Sequence, residues 1–582
     1  MRSRQALRRQ SPGPPGDGYK WLALSNTTLG VMVVTIDATI MIIAMPDIFR
    51  GIRLNPLLPS NSFYLLWMIL SYLIVSSVLV VSFGRLGDIF GRVRIYNLGF
   101  VVYTLGSILL SITWMTGQSG ALWLVLMRVV QGVGGAFLIA NSAAILTDAF
   151  PSHQRGLALG INNVAGISGS FIGLVLGGIL GAIDWRLVFL VSVPVGIAGT
   201  IWSYLKLRDL GIRRRTRIDW WGNLTFAVGL ISLMIGVTYG IEPYGRQTMA
   251  WTSPQVLAEL SLGVVLLAVF CLIERVTTAP MFRLGLFRIR AFVFGTISSF
   301  LAALGRGGLM FMLVIWLQGI WLPLHGYDFA ETPLWAGIYM MPLTAGFLLA
   351  GPASGALSDR FGARPFATGG MLAAALSFLL LELLPISFSY GFFAPLLLLN
   401  GLSMGAFASP NRAAVMNSLP PEHRGAGGGM NATFQSSAQV LSIGIFFTLV
   451  IIGLSGTLST SLEHGLLLHG VPRAAAVRAA SLPPVSTLFA AFLGYNPMQH
   501  LLGAHTLSLL PRGTAAVLTG RSFFPHLIST PFAAGLHTAF DFSIGCCLVA
   551  AAASWSRGQR YVHSVQTRTV IDPTEVPSVP DL

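Results

Sequence analysis

Two residues of opposite charge lie inside long apolar stretches, where an ionisable side chain is costly and usually functional. Asp37 lies roughly 12 Å along the first stretch from its far end, and Arg128 lies roughly 10 Å from the same end of the fourth stretch, if both are helical. A carboxyl group that alternates between an arginine neighbour and apolar surroundings changes its affinity for a proton. We predict that Asp37 binds the coupling proton or cation and that Arg128 tunes it. A static buried ion pair is the alternative.

The second half of the chain holds two more charges within apolar stretches, Arg306 and Asp541. They either pair with each other or face a cavity between the two halves. Trp316 and Gln318 follow Arg306 on the same stretch and are grouped with this possible substrate cavity. Aromatic side chains at such positions also serve as packing or lipid contacts, so the alternative role for Trp316 is structural.

The composition is typical of a membrane protein. Of the 582 residues, 54% are hydrophobic and 10% are charged, whereas soluble domains carry about 25% charged residues. The net charge of +15 could indicate nucleic-acid binding, but the basic residues are spread over many short gaps between apolar runs. The three cysteines show no metal-ligand spacing. We therefore expect membrane lipids as partners, no nucleic acid and no metal.

The apolar runs predict an all-α polytopic membrane protein with fourteen transmembrane helices. Most of the 36 Lys and Arg residues fall on one side of these spans, which predicts an integral plasma (inner) membrane protein with both termini in the cytoplasm. No fifteenth span is predicted in 453–530, because Pro483 and Pro484 interrupt the best apolar run of that segment. The predicted parts are a disordered tail at 1–20, a six-helix bundle at 21–205, a linker with two inserted helices at 206–290, a second six-helix bundle at 291–556 with a long extracytoplasmic loop at 453–530, and a cytoplasmic tail at 557–582.

A short glycine-rich charged loop appears twice. The run from Gly84 to Arg94 recurs in weaker form from Gly355 to Arg364, about 270 residues later, and a second pair of loops repeats at nearly the same offset. This predicts that the two six-helix bundles are pseudo-repeats, as in many secondary transporters. We interpret the loop as a gate on the cytoplasmic rim, with topology alone as the alternative. The predicted gate residues are Gly84, Asp88, Gly91, Arg92, Arg94, Asp359 and Arg360.

Four motifs carry a resemblance to a known family. The 84–94 loop resembles the loop 2–3 signature of the major facilitator superfamily. The stretches 36–46, 128–134 and 185–196 resemble signatures of its fourteen-helix drug:proton antiporter branch. The resemblance covers about residues 20–556 and implies alternating access between two bundles, with a proton gradient rather than a bound cofactor as the energy source.

The helix 5 motif departs from that branch. Residues 173–178 lack the proline that usually marks its exporters, so the transport direction stays open. The glycines at positions 169, 173 and 177 lie on one helix face and are predicted to let a neighbouring helix approach closely. Within the sequence there is no zincin, phosphate-binding-loop or nucleophile-elbow motif, so we do not expect an enzyme or ATP-driven transport.

The preferred function is proton-coupled efflux of small hydrophobic or amphipathic compounds such as drugs. A dedicated metabolite or lipid transporter, acting as an exporter or an importer, and a transport-inactive membrane sensor are the alternatives. The sequence leaves the substrate, the proton stoichiometry and the oligomeric state open, and a monomer is consistent with it.

Overall fold

A computed structural model describes residues 17–558, except 56, 59–60, 152–153, 211–218, 245–248, 278–279, 281, 421–423 and 495. Most of the tail predicted at 1–20 and most of the tail predicted at 557–582 lie outside the described residues, as does the centre of the basic loop after residue 206. The predictions for those segments stay predictions.

The fold is all helical, with 85% helix and no strand among the described residues. Fourteen helical segments are long and apolar enough to cross a membrane, as a bilayer requires of a chain that must satisfy its backbone hydrogen bonds internally. Spans 6, 9 and 10 consist of consecutive shorter helices. The helices are α1 (Asp17–Gly51), α2 (Ser62–Phe90), α3 (Arg92–Ser111), α4 (Gly117–Ala149), α5 (Arg155–Ile183), α6 (Leu187–Leu190), α7 (Ser192–Lys206), α8 (Trp220–Gly240), α9 (Pro254–Val276), α10 (Arg290–Arg306), α11 (Leu309–Val314), a π-helix (Ile315–Trp321), α12 (Leu322–Leu324), α13 (Thr332–Tyr339), α14 (Met341–Phe361), α15 (Ala363–Glu382), α16 (Tyr390–Asn417), α17 (Arg424–Leu468), α18 (Arg473–Ala480), α19 (Pro484–Phe492), α20 (Met498–Ser508), α21 (Arg512–Thr519) and α22 (Phe523–Ser556).

The helices pack as two bundles. In the first half, α1 packs on α5, α3 and α2 pack on α4, and α7 packs on α3. In the second half the corresponding pairs are α14 with α16, α15 with α16 and α22, and α10 with α17 and α22. The inserted helices α8 and α9 pack mainly on each other, and α8 also contacts α2 and α17. The insertion therefore lies against both halves at their edge.

The predicted small-residue face of α5 lies against α1. A Cβ atom added to Gly169 would lie 2.7 Å from the carbonyl oxygen of Met32, and one added to Gly177 would lie 2.8 Å from that of Ile40. Between them, the Thr39 hydroxyl of α1 donates to the Ser170 carbonyl of α5 at 3.0 Å. The glycines thus bring two backbones into direct contact over two helical turns.

Both described chain ends lie on one side of the molecule, which we call the terminal side. The Tyr19 hydroxyl at the start of α1 donates to the carbonyl oxygen of Arg208, just after α7, at 2.8 Å. Arg290 at the start of α10 donates to the carbonyl oxygen of Ser556 at the end of α22 at 3.0 Å. The opposite side, where α18 to α21 lie, is called the cap side.

The prediction that residues 453–530 form a long loop is wrong, because most of this segment is helical. Helix α17 continues to Leu468, four short helices follow, and α22 begins at Phe523. Since 453–468 mixes Ser, Thr, Glu and His with apolar residues, its hydropathy falls although its helical structure continues. Pro483 and Pro484 do not end the apolar segment. They start α19, because proline is tolerated at the first turn of a helix.

Helix α19 lies inside the protein rather than on a membrane surface. All nine of its residues are buried, and it contacts α17, the π-helix and α2. With α18 it forms a pair bent by 84°, which by length and composition alone resembles a broken span or a re-entrant loop. The cap-side segment therefore inserts between the two halves.

Candidate substrate and proton-coupling site

Asp37 and Arg128 form an ion pair in the centre of the first bundle. An Arg128 Nη atom contacts one Asp37 carboxylate oxygen, and Gln131 Nε2 donates to the other oxygen at 3.0 Å. The Asp37 side chain is fully buried and Arg128 is 1% exposed. Both carboxylate oxygens are therefore engaged in a dry environment that joins α1 to α4.

Neighbouring helices complete this network. Arg128 Nε donates to the Met68 carbonyl oxygen of α2 at 3.2 Å, and its guanidinium lies 4.3 Å from the centre of the Tyr72 ring. Gln131 Nε2 also donates to the Ser107 hydroxyl of α3 at 2.8 Å. The charge of Arg128 is thus satisfied by an acid, an amide, a carbonyl and an aromatic face, as a buried cation requires.

Arg306 takes a different position. It is the last residue of α10, its side chain is only partly buried, and its guanidinium lies 5.1 Å from the centre of the Phe347 ring on α14. Helices α10 and α14 do not pack closely on each other along their lengths. Arg306 therefore reaches across a space between them.

The structure does not bring Asp541 to Arg306. Asp541 is exposed on the lateral face of α22, which also carries exposed Leu548 and Trp555. One turn away, His537 Nδ1 lies 3.7 Å from the Glu382 carboxylate of α15. The pairing of Asp541 with Arg306 is therefore wrong in this conformation, because the phase of α22 places Asp541 on the exposed face with Leu548 and Trp555. Its role as a cavity residue stays a prediction.

Trp316 and Gln318 lie in the π-helix and are buried rather than facing an open cavity. The Trp316 ring packs 4.9 Å from the Phe388 ring, centre to centre. Gln318 Nε2 donates to the Ile43 carbonyl oxygen of α1 at 3.4 Å, while its Oε1 has no hydrogen-bond partner. Gln318 is thus a polar contact between the two halves on the cap side, and Trp316 is a packing residue there.

Close contacts seal the two halves on the cap side. A Cβ atom on Gly337 of α13 would lie 2.8 Å from the Leu174 carbonyl oxygen of α5, and one on Gly178 of α5 would collide with the backbone of Leu334 in α13. On the terminal side, by contrast, an exposed Arg412 of α16 donates to the exposed Asn163 of α5 at 2.9 Å. The space between the halves is therefore closed at the cap and lined by exposed polar side chains at the terminal side.

The first predicted gate is a three-residue charge network within the first bundle. Arg92 contacts Asp88, four residues earlier, at 2.8 Å and Asp148 at the end of α4 at 2.6 Å. Gly91 between the two helices has φ of 108°, a conformation that favours glycine. Arg94 is exposed and lies outside this network, and Gly84 has open space beside its backbone.

The second copy keeps the backbone turn of the loop but lacks the three-residue charge network. Gly362 also has positive φ, at 86°. Ala363 and Ser418 stand at the positions equivalent to Arg92 and Asp148, while Asp359 and Arg360 are exposed. The guanidinium of Arg360 lies 5.3 Å from the centre of the ring of the next residue, Phe361. The second loop therefore lacks the bridge to the helix end.

Comparison with known proteins decides the family. The family model described as Major Facilitator Superfamily matches residues 27–443. The chain belongs to the Major Facilitator Superfamily. Similar relatives are the riboflavin transporter RibZ of Clostridioides difficile, 27% identical over 73% of this chain and 87% of the relative, and the methyl viologen resistance protein SmvA of Salmonella typhimurium, 29% identical over 80% and 90%. Multidrug resistance protein 3 of Bacillus subtilis is 26% identical over 72% of this chain and 77% of that relative.

Solved structures support the superfamily fold. A bacterial homologue of the human lysosomal transporter Spinster matches with a TM-score of 0.56 and 16% identity, over 94% of this chain and 100% of that chain. A D-xylose–proton symporter matches with a TM-score of 0.51 and 14% identity, over 74% and 90%. Resemblance at this level of identity concerns the fold alone.

In this superfamily member the two gate loops are expected to differ in importance. We predict that Asp88→Asn lowers transport by about two- to fivefold, the range expected when one link of a partly exposed charge network is removed. Asp359→Asn should leave transport nearly unchanged, because Asp359 is exposed and its loop lacks the Arg92 and Asp148 equivalents. Initial rates at matched expression measure this, and equal effects would contradict the asymmetry.

Sequence reasoning missed a buried arginine of the second half. Arg557 was assigned to a tail but is 6% exposed, contacts Asn411 Oδ1 through one Nη atom and donates from Nε to the Ser554 carbonyl oxygen at 3.2 Å. Burial lowers the pKa of Arg557 to about 10. No sequence signal identified this contact, because Asn411 and Arg557 are 146 residues apart.

Gln131 was the other missed residue. It lies in the 128–134 stretch but is not among the predicted coupling residues, yet it donates to both Asp37 and Ser107. A helical spacing of three residues from Arg128 places both side chains on one face, so the pattern alone could have included it in the predicted coupling group.

Proposed function

We propose that the protein is a proton-coupled secondary transporter that exports small hydrophobic or amphipathic compounds by alternating access. The observation that carries the proposal is the buried network of Asp37, Arg128 and Gln131. A carboxylate held at such depth, with no other acid of the described residues in contact with it, is the kind of group that couples proton binding to conformational change.

In the proposed orientation, the terminal side faces the cytoplasm of the cell and the protein resides in the plasma (inner) membrane. The excess of Lys and Arg in the connections on that side supports this orientation. The described conformation, sealed at the cap, then corresponds to a state from which substrate exchanges with the cytoplasm.

In the proposed cycle, the Asp37 carboxyl group alternates between an ionised and a protonated state. When ionised it holds α1 to α4 through Arg128 and Gln131. When the cap side opens, a proton from outside neutralises the carboxyl group and weakens its bond to Arg128, because the attraction between opposite charges is lost. Return to the cap-closed state requires that the proton leave toward the cytoplasm, so each cycle moves protons inward and substrate outward.

The test is a transport assay with the full chain in proteoliposomes. With an imposed pH gradient, fluorescent amphiphiles of positive, negative and zero charge are followed, together with proton flux in the lumen. We expect substrate movement opposite to the proton gradient and abolition of that movement by a protonophore. Transport that ignores the pH gradient would refute coupling, and movement in the direction of the protons would refute export.

A dedicated metabolite transporter is the second candidate. The similarity to a riboflavin transporter over 73% of this chain favours it, as does the absence of the helix 5 proline. In the same assay it would show as transport of one compound that structurally unrelated amphiphiles do not inhibit.

A further inference from the structure

Two arginines along the space between the halves have no acidic partner. No carboxylate of the described residues lies within ion-pair distance of Arg306 or of Arg412. Arg306 lies at the middle of a membrane-spanning segment, while Arg412 lies on the last turns of α16 toward the terminal side. They therefore lie at two depths between the terminal side and the membrane centre.

The surroundings of Arg412 are open at the terminal side. Its guanidinium donates to the Asn163 amide oxygen across the two halves, and both side chains are exposed although they lie between the bundles. One turn away on α5, a Cβ atom added to Gly160 would meet no atom within 4 Å. An anion that enters from the terminal side would meet Arg412 first.

Asp37 and Asp541, the two acids that the sequence predicts for the coupling site and the cavity, are not placed to neutralise Arg306 or Arg412. Asp37 is fully buried with both oxygens engaged, and Asp541 is on the lateral face of α22. Neither acid is therefore placed to balance the charge of Arg306 or Arg412. In a space of low dielectric, this arrangement favours a negative ligand and repels a positive one.

We propose that the site between the halves selects anionic amphiphiles, in which a carboxylate or sulfonate is attached to an apolar or aromatic body. Arg306 binds the acidic group, because a guanidinium donates two parallel hydrogen bonds to a carboxylate or sulfonate. The Phe347 ring, 5.1 Å from the Arg306 guanidinium, packs on the apolar body. The inference rests on the proposed transport function and narrows its substrate to one charge class.

Binding to the purified full chain in detergent tests the inference without transport. The probes are a naphthalene sulfonate, a naphthyl trimethylammonium ion of similar size and an uncharged naphthyl sulfonamide, each titrated by its fluorescence. We expect the sulfonate to bind at least about tenfold more tightly than the ammonium ion, the discrimination that one charge-assisted contact supplies. Arg306→Gln should remove most of that preference, and Arg306→Lys should retain part of it.

A control separates charge at the site from charge in general. Arg512→Gln removes one positive charge from an exposed position at the start of α21 and should leave sulfonate affinity unchanged. Tighter binding of the ammonium ion, equal loss of affinity for all three probes in Arg306→Gln, unchanged sulfonate affinity in that variant, or no binding of any probe would each overturn the inference. If the sulfonate binds as expected but no probe is moved by a pH gradient in proteoliposomes, the transport proposal fails while the site assignment stands.

Discussion

Asp37→Asn is expected to lower transport driven by a pH gradient by about tenfold or more, since an asparagine cannot take up and release the coupling proton. Asn keeps the shape of the side chain and can still accept a hydrogen bond from Arg128, so the first bundle should remain folded. The buried guanidinium loses its counter-ion, which costs stability on the order of a few kcal/mol. Proteoliposome flux and thermal unfolding of the same preparation measure the two effects.

An exchange assay separates coupling from folding in this variant. With substrate on both sides and no pH gradient, an Asp37→Asn protein that still alternates should exchange labelled for unlabelled substrate at a rate close to that of the original protein. Asp37→Glu, which keeps a titratable carboxyl group, should recover part of the gradient-driven flux. Full gradient-driven flux in Asp37→Asn would show that Asp37 is only a structural ion pair.

Gly173→Leu is expected to destabilise the fold by about 3 kcal/mol or more, or to prevent membrane insertion, because a side chain there overpacks a contact between two backbones. A Cβ atom on Gly173 would collide with the Thr39 hydroxyl and lie 3.1 Å from the Ile36 carbonyl carbon. Helix α1 would have to move away from α5, and with it Asp37. The yield of monodisperse protein and its melting temperature measure the effect.

The matched control for this substitution is Gly545→Leu. Gly545 also lies within a long helix, but it is exposed and has no atom within 4 Å of an added Cβ. Helix propensity alone should make that variant neutral or slightly more stable. Similar losses in the two variants would show that the α1–α5 contact is not what Gly173 provides.

The sequence alone was sufficient to predict the uniformly apolar helices. It was also sufficient to predict the Asp37–Arg128 pair, because a charge is costly within an apolar helix. Fourteen spans were predicted and fourteen candidate spans are present among the described residues. Asp37 and Arg128 could be matched because each is a lone charge in an apolar stretch and their depths agree. Such signals depend on composition and helix rise, which a single sequence contains.

Other features depended on helix phase and on packing between distant segments. The direction of Asp541 follows from the rotation of α22 against α15, which one charge in a long apolar helix does not fix. Burial of α19 depends on the surfaces of α17, the π-helix and α2, which are far from it in sequence. The π-helix from Ile315 to Trp321 also changes the number of residues per turn, so a regular helical pattern misplaces Trp316 and Gln318.

The two gate loops share a backbone feature that is consistent with duplication of one ancestral half. Gly91 and Gly362 hold the same left-handed turn at equivalent places in the two halves, although the neighbouring Arg92 and Ala363 have diverged. A side chain at such a torsion is sterically penalised in every background, whereas a surface charge can be exchanged at little cost. If the two halves arose by duplication, substitution of Gly91 and Gly362 would have been opposed by backbone strain in both copies. Substitution at the neighbouring positions 92 and 363 would have met a smaller electrostatic penalty.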